Sequence, residues 1–351
     1  PRRKTKMSHR IKILLIPALL LSACTSGPAT TTKGNLDQLT LPGSRPSASP
    51  KVTILPGPSS SPGSSPGASP TNTSSVKVRN LLVWEVKPAG QAGPVSYLIG
   101  TLSGSLASDF PIPALISDKL KAAKAYYSEA NLNLSTEEAK ANTQYVKDDK
   151  QNLENMLGAE SWQKLQQWLE DGGLVIPDQV LRLFKPWFIS QALGSTVRDR
   201  VLGKFSETSS QEGNLQAQAK QAGIALKYLE TVADEFKSED SVTVAEQLRL
   251  LKLELADGPD KLAAELTAVF GSYNRGDLAA LEKSEAEARA ESEEYYEKNV
   301  RQRHQRWVET LKTVLAQEAD VVALGAPHLV GSEGLITRLQ AQGFEIKRFS
   351  F

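Results

Sequence analysis

Cysteine and histidine are scarce: of 351 residues, one is Cys and three are His. A single Cys excludes an intramolecular disulfide and any multi-cysteine zinc or iron–sulfur centre. One of the three His, His9, lies close to the N-terminus, so the rest of the chain cannot build a three-histidine metal site. Long apolar runs are also missing. The run over residues 13–21 falls well short of the roughly 20 apolar residues that cross a bilayer. Positive charge is short where a nucleic-acid binder would need it. Residues 1–76 hold nine Lys or Arg and one acid, Asp37, which leaves 32 basic and 39 acidic side chains in residues 77–351. An acidic folded part argues against nucleic acid as a partner, because phosphate binding needs a basic surface. Hydrophobic residues make up 40% of the chain, enough for one sizeable core.

The N-terminus reads as an address. Arg2, Arg3, Lys4, Lys6, Arg10 and Lys12 precede the apolar run, and small residues follow it. This is the charge, apolar and cleavage order of a secretory signal, expected over residues 1–23. Leu21-Ser22-Ala23-Cys24 resembles a bacterial lipobox. That resemblance implies cleavage before Cys24, lipidation of its thiol and anchoring in a lipid bilayer of the bacterial cell envelope, since several acyl chains anchor stably where one is marginal. Thr25 rather than Asp follows Cys24, which favours the outer membrane if two membranes are present.

Residues 25–75 hold 35 Ser, Thr, Pro or Gly, four charges and no aromatic residue. Such a segment cannot bury enough apolar surface to offset chain entropy. A disordered linker is expected over residues 24–75, with one folded domain over 76–351. Within that domain, residues 81–86 and 95–99 read as two strands of a hairpin with a longer loop. Further strands are expected at 124–131, 225–229 and 321–324, and an alternating edge strand at 344–349. Residues 135–223, 241–255, 261–273 and 335–341 read as mostly helical, and 277–317 as one long helix. The predicted class is α/β: a small mixed β-sheet core with a large helical insertion.

Four residues stand out chemically. Gly100-Thr101-Leu102-Ser103 and Gly325-Ala326-Pro327-His328 share one layout, a strand followed by Gly, two residues and a polar side chain. A glycine there lets backbone turn sharply and approach a ligand, which makes Gly100 and Gly325 candidate binding positions. His328 can act as base, acid or metal ligand near neutral pH. Glu129 closes a weakly polar strand and needs solvent or a partner. Arg303 falls on the apolar stripe of a helix with Tyr296, Val300, Trp307, Leu311 and Val314, so its charge must reach an acid, a carbonyl or a ligand anion. His304 adjoins it and is expected to be partly buried, on an element separate from the glycine motifs.

These pieces together resemble the GumN/TraB family, which includes the Wnt-inactivating TIKI proteases. The resemblance runs from Leu82-Val83-Trp84-Glu85-Val86 and Ser96-Tyr97-Leu98-Ile99-Gly100-Thr101 through Phe110-Pro111-Ile112-Pro113. It continues with Lys185-Pro186-Trp187, Tyr228-Leu229-Glu230-Thr231 and the segment from Arg303 to Trp307. It ends at Ala323-Leu324-Gly325-Ala326-Pro327-His328-Leu329. The resemblance implies a fold related to erythromycin-esterase and ChaN-like proteins. It also implies a site of two Gly-x-x-His motifs, an acid and an arginine, and in TIKI members a metal-dependent peptidase. Here the second motif is intact at His328, the acid maps to Glu129 and the arginine to Arg303. The first motif ends in Ser103 where the family has His.

Serine is a poor ligand for a divalent transition metal unless ionised. Three functions therefore stay open. One is a binding or scaffold lipoprotein on a degenerate site that holds a peptide or an anionic ligand. Another is a metal-dependent hydrolase of the peptidase type, with His328 and Glu129 holding manganese, cobalt or zinc and Arg303 stabilising negative charge. The last is metal-free chemistry with Ser103 as nucleophile and His328 as base.

Overall fold

The computed structural model describes residues 82–90, 93–102, 112–131, 133–203 and 210–349. Ser103 and Cys24, like the expected signal and linker, lie outside the described residues. The fold is mixed α/β with a six-stranded sheet. Its strands are β1 (Leu82–Pro88), β2 (Ser96–Thr101), β3 (Ala125–Ser128), β4 (Ala225–Tyr228), β5 (Val321–Gly325) and β6 (Phe344–Arg348), in the order β4-β3-β5-β2-β1-β6. All six fall where strands are expected, and β6 is at an edge. Strands β1 and β2 form the antiparallel hairpin, with Leu82 opposite Gly100 and Val86 opposite Ser96. The pairs β2–β5, β5–β3 and β3–β4 are parallel.

Period-two alternation explains both faces of the sheet. Val83, Tyr97, Ile99, Tyr126, Val321 and Ala323 share one face with Ile116, Leu120, Leu215 and Ala219. These four come from the helices Ala114–Ala122 and Gln211–Gln221. Leu82, Trp84, Leu98, Tyr127, Val322 and Leu324 point the other way, into the larger core beneath the helical insertion. The central strands are buried on both faces, so they read as unbroken apolar runs, and each such side chain stabilises by about 1.5–3 kcal/mol. The insertion is built around the helices Pro186–Leu202 and Val244–Arg275. The second of these breaks at Gly258, where φ is 78°, just before Pro259. That break is why residues 241–255 and 261–273 read as separate helices. None of the described helices is long and apolar enough to cross a membrane.

The long helix expected over residues 277–317 is instead interrupted twice. Leu278–Glu291 ends at Ser292, whose extended backbone and Oγ, accepting from Tyr295 N–H at 3.1 Å, start a new helix. Residues Glu297–Arg301 are then wound as a π-helix before Gln302–Val314 continues as α-helix. Polar residues run through this stretch, so its apolar pattern carried no mark of either break.

Candidate functional site

Three parallel strands deliver their carboxyl ends to one place, where open α/β sheets bind ligands. Glu129 follows β3 directly, Glu230 follows β4 by two residues, and Gly325 ends β5. Glu230 N–H donates to Glu129 C=O at 3.0 Å, so the sheet pairing carries on into the site. Gly325 N–H donates to Glu129 Oε1 at 2.8 Å. A Cβ at Gly325 would stand 3.3 Å from that same oxygen, so glycine lets the carboxylate come close. Gly100 has a different task. A Cβ there would meet Leu82 at 3.1 Å and Ala326 at 3.3 Å, and its carbonyl accepts from Tyr273 OH at 2.6 Å, so it serves packing.

From Gly325 the chain enters the short helical turn Ala326–Leu329, which carries His328. Its Nε2 lies 3.8 Å from Glu129 Oε2, and both side chains keep partial exposure, 20% and 25%. Its ring also packs edge-on against Trp307, with centroids 5.0 Å apart.

Arg303, Trp307 and Leu311 form the buried stripe expected of their helix. The π turn brings Asn299 inward, while Val300 is only half-buried. Arg303 is 4% exposed. Its charge is met inside the protein: Nε donates to Glu230 Oε1 at 2.9 Å, and Nη2 also bonds that oxygen. Trp307 lies under the guanidinium, 4.8 Å from centroid to Cζ, and donates its Nε1–H to Glu230 Oε2 at 3.2 Å. By contrast, Arg303 Nη2 approaches Glu129 Oε2 only to 3.7 Å and Glu235 Oε1 only to 3.9 Å. Both exceed hydrogen-bond length.

His304 departs from expectation. It is 1% exposed rather than partly buried, and it does join the glycine-motif histidine. Its Nδ1 sits 2.8 Å from Glu333 C=O and its Nε2 sits 2.9 Å from His328 Nδ1. Adjacent residues on a helix point about 100° apart, so Arg303 turns to Glu230 and His304 turns to His328. Reading a single apolar stripe captures the first direction and misses the second.

Glu230 and Glu235 were also not singled out from the sequence. Glu230 carried the same signal as Glu129, an acid just past a strand. Glu235 lies in the helix Val232–Asp240, started by a capping box between Thr231 and Asp234. Burial pushes the Glu235 carboxyl up to about 8, against the pull of Arg303 and helped by Glu230, Glu129 and Glu239. Burial, then the Arg303 charge, lowers His328 to about 3. Burial and His328 also hold His304 well below the usual histidine range. Both imidazoles are therefore neutral at pH 7.

The donor set can be tested against a divalent metal. Among the described residues, no group of three or more His, Cys, Asp or Glu could hold a metal ion. His328 Nε2 and Glu129 Oε2 offer two donors, one fewer than catalytic zinc usually takes. The described residues thus do not fit a tightly held divalent metal.

No match was found among curated proteins or among solved structures. A family model does match, over residues 82–348, which spans the whole sheet and every residue of the site just described. By that match, the chain belongs to the TraB/PrgY/gumN family.

Proposed function

We propose that the chain is an exported bacterial lipoprotein whose family domain binds a ligand rather than hydrolysing one with a metal. In this reading residues 1–23 are the signal peptide, and Cys24 carries the acyl chains that anchor the protein in the cell envelope. Residues 24–75 are the Ser/Pro/Gly-rich linker, and residues 76–351 form the domain that is displayed. The lipobox-like Leu21-Ser22-Ala23-Cys24 and the Ser, Pro and Gly content of the linker support the anchoring. The donor count carries the rest: two metal donors, with Ser103 standing where the family has His. Fold alone does not transmit an activity when its site is incomplete. Arg303 is already satisfied by Glu230, so an anionic ligand would have to compete with a buried ion pair. A peptide or other hydrogen-bond donor has open acceptors to meet at Glu129 and His328.

Metal titration of the full chain carrying Cys24→Ala, beside a second protein that also carries Ser103→His, tests this reading. Little uptake of manganese, cobalt or zinc by the first and a gain by the second is expected. Tight, near-stoichiometric uptake without Ser103→His would favour the hydrolase instead. Labelling with radioactive palmitate in cells, lost in Cys24→Ala, tests the anchor.

A further inference from the structure

The two histidines define each other's protons. Glu333 C=O can only accept, so His304 Nδ1, 2.8 Å away, must donate to it. A neutral imidazole carries one N–H, so His304 Nε2 is left with a lone pair. That lone pair faces His328 Nδ1 at 2.9 Å, which must therefore be the N–H of His328. His328 Nε2 is then unprotonated. The competing assignment, a doubly protonated His304, places a cation on a ring 1% exposed and next to Arg303. Burial of an unpaired charge opposes it.

The lone pair on His328 Nε2 therefore looks across 3.8 Å at Glu129 Oε2, and the two groups are both acceptors. At that separation they share no proton. Oε1 of that carboxylate takes a backbone N–H, and Arg303, 3.7 Å from Oε2, hydrogen-bonds Glu230 instead. Two acceptors, one of them a carboxylate oxygen, thus stand 3.8 Å apart on partly exposed side chains. A nitrogen carrying several N–H groups and a positive charge meets both needs. At about 2.9 Å from each acceptor, such a nitrogen would see them at an angle of roughly 80°, within reach of two slightly bent bonds. We propose that Glu129 Oε2 and His328 Nε2 bind a primary ammonium group, and that His304 is the positioning residue that holds His328 in the required tautomer. The proposal rests on reading the chain as a binding protein.

The ammonium could belong to a peptide amino terminus or to a lysine-like side chain, and the test separates them. The full chain carrying Cys24→Ala and His9→Gln has only two imidazoles, so their nitrogen-15 NMR signals are simple to assign. Both rings are expected as the Nδ1–H tautomer. His304→Gln keeps an acceptor where Nε2 stood and should leave His328 unchanged. His304→Phe removes it and should shift His328 to the Nε2–H tautomer. Binding is read from the His328 Nε2 shift with three probes: triglycine, N-acetyl-triglycine and Nα-acetyl-lysine methylamide. Triglycine should bind and its acetylated form should not. Glu129→Gln and His304→Phe should each weaken it by about tenfold or more, the range for a hydrogen bond to a charged group, while His304→Gln should restore most of it. Binding of the lysine probe alone would keep the ammonium site and reassign its source. An Nε2–H tautomer for His328 in the parent protein, equal binding of the acetylated peptide, or no binding of either ammonium probe overturns the proposal. If metal uptake is also absent, failure here leaves the broader binding role standing. Tight metal uptake would remove both readings.

Discussion

Two acid–base pairs lie side by side at the carboxyl end of the sheet, and they are built on opposite plans. In the first, Arg303 and Glu230 are 4% and 8% exposed, share two hydrogen bonds, and have Trp307 both donating to the acid and underlying the guanidinium. In the second, Glu129 and His328 stand 3.8 Å apart, partly exposed, with no hydrogen bond between them. The first pair is hydrogen-bonded within the protein, and the second holds its two acceptor atoms apart without a bond between them. A charged residue on an apolar stripe is thus no guide by itself to ligand binding. What distinguishes a ligand site is unmet hydrogen-bonding capacity together with a route to solvent.

The sharpest way to break this comparison is to cut the closed pair. Arg303→Met leaves buried Glu230 with only the half-exposed Arg306, 3.6 Å from its Oε2, and should cost about 3–5 kcal/mol of stability. The double variant Arg303→Met with Glu230→Leu should recover most of that loss, because well-packed apolar replacements of buried ion pairs are often neutral. Urea unfolding measures both, and a double variant no better than the single would show that packing, not the charge pair, was lost.

A pH series sharpens the comparison next. Glu235 has its folded value raised from 4.5 to about 8, so the folded state holds the proton more tightly. Its contribution is complete at low pH and is lost as pH rises from about 4.5 toward 8, with a slope of up to about 1.4 kcal/mol per pH unit. His328, lowered to about 3, works in the opposite sense. The unfolded chain takes up the proton first, so stability falls as pH drops below about 6.5. His304 adds to that acid limb. The limbs overlap between about pH 4.5 and 6.5, so stability should fall above about 6.5 and below about 4.5; Glu285, raised to about 7, shares the alkaline limb, and Glu235→Gln should make that limb shallower. A loss of the acid limb in Glu235→Gln would contradict the assignment.

A smaller effect is expected at Thr231, whose side chain accepts from Asp234 N–H at 3.1 Å and starts the helix carrying Glu235. Thr231→Ala should cost about 1 kcal/mol, as lost N-caps do. Thermal unfolding would register it, and the Glu230–Arg303 pair should be untouched.

Strands β2 and β5 were legible as apolar runs that reach a glycine and β6 by its alternation, features that survive without tertiary context. Glu129, His328 and Arg303 were legible for a related reason: each is a polar group at a position whose neighbours are apolar. The relation between them was not. Glu230 carried the same strand-end signal as Glu129, but only the parallel pairing of β3 with β4 sets the two side by side. His304 was hidden by its neighbour, since a helix-face reading assigns one inward direction, and here residues 303 and 304 serve two different contacts. The π turn at Glu297–Arg301 left no trace, as its residues are polar and helix-compatible. The two glycines, identical in motif, serve different ends: Gly325 admits the Glu129 carboxylate and Gly100 admits Leu82 and Ala326.

The difference between a closed and an open pair is tested most directly by measuring the unfolding free energies of Glu230→Gln and Glu129→Gln under the same conditions. The account predicts a loss of about 2–5 kcal/mol for Glu230→Gln, which removes the carboxylate hydrogen-bonded to a buried guanidinium. It predicts less than about 1.5 kcal/mol for Glu129→Gln, whose amide oxygen can still accept from Gly325 N–H. Equal losses, or a larger one at Glu129, would show that the Glu129–His328 pair is itself part of the protein's internal framework and would contradict the claim that it waits for a ligand.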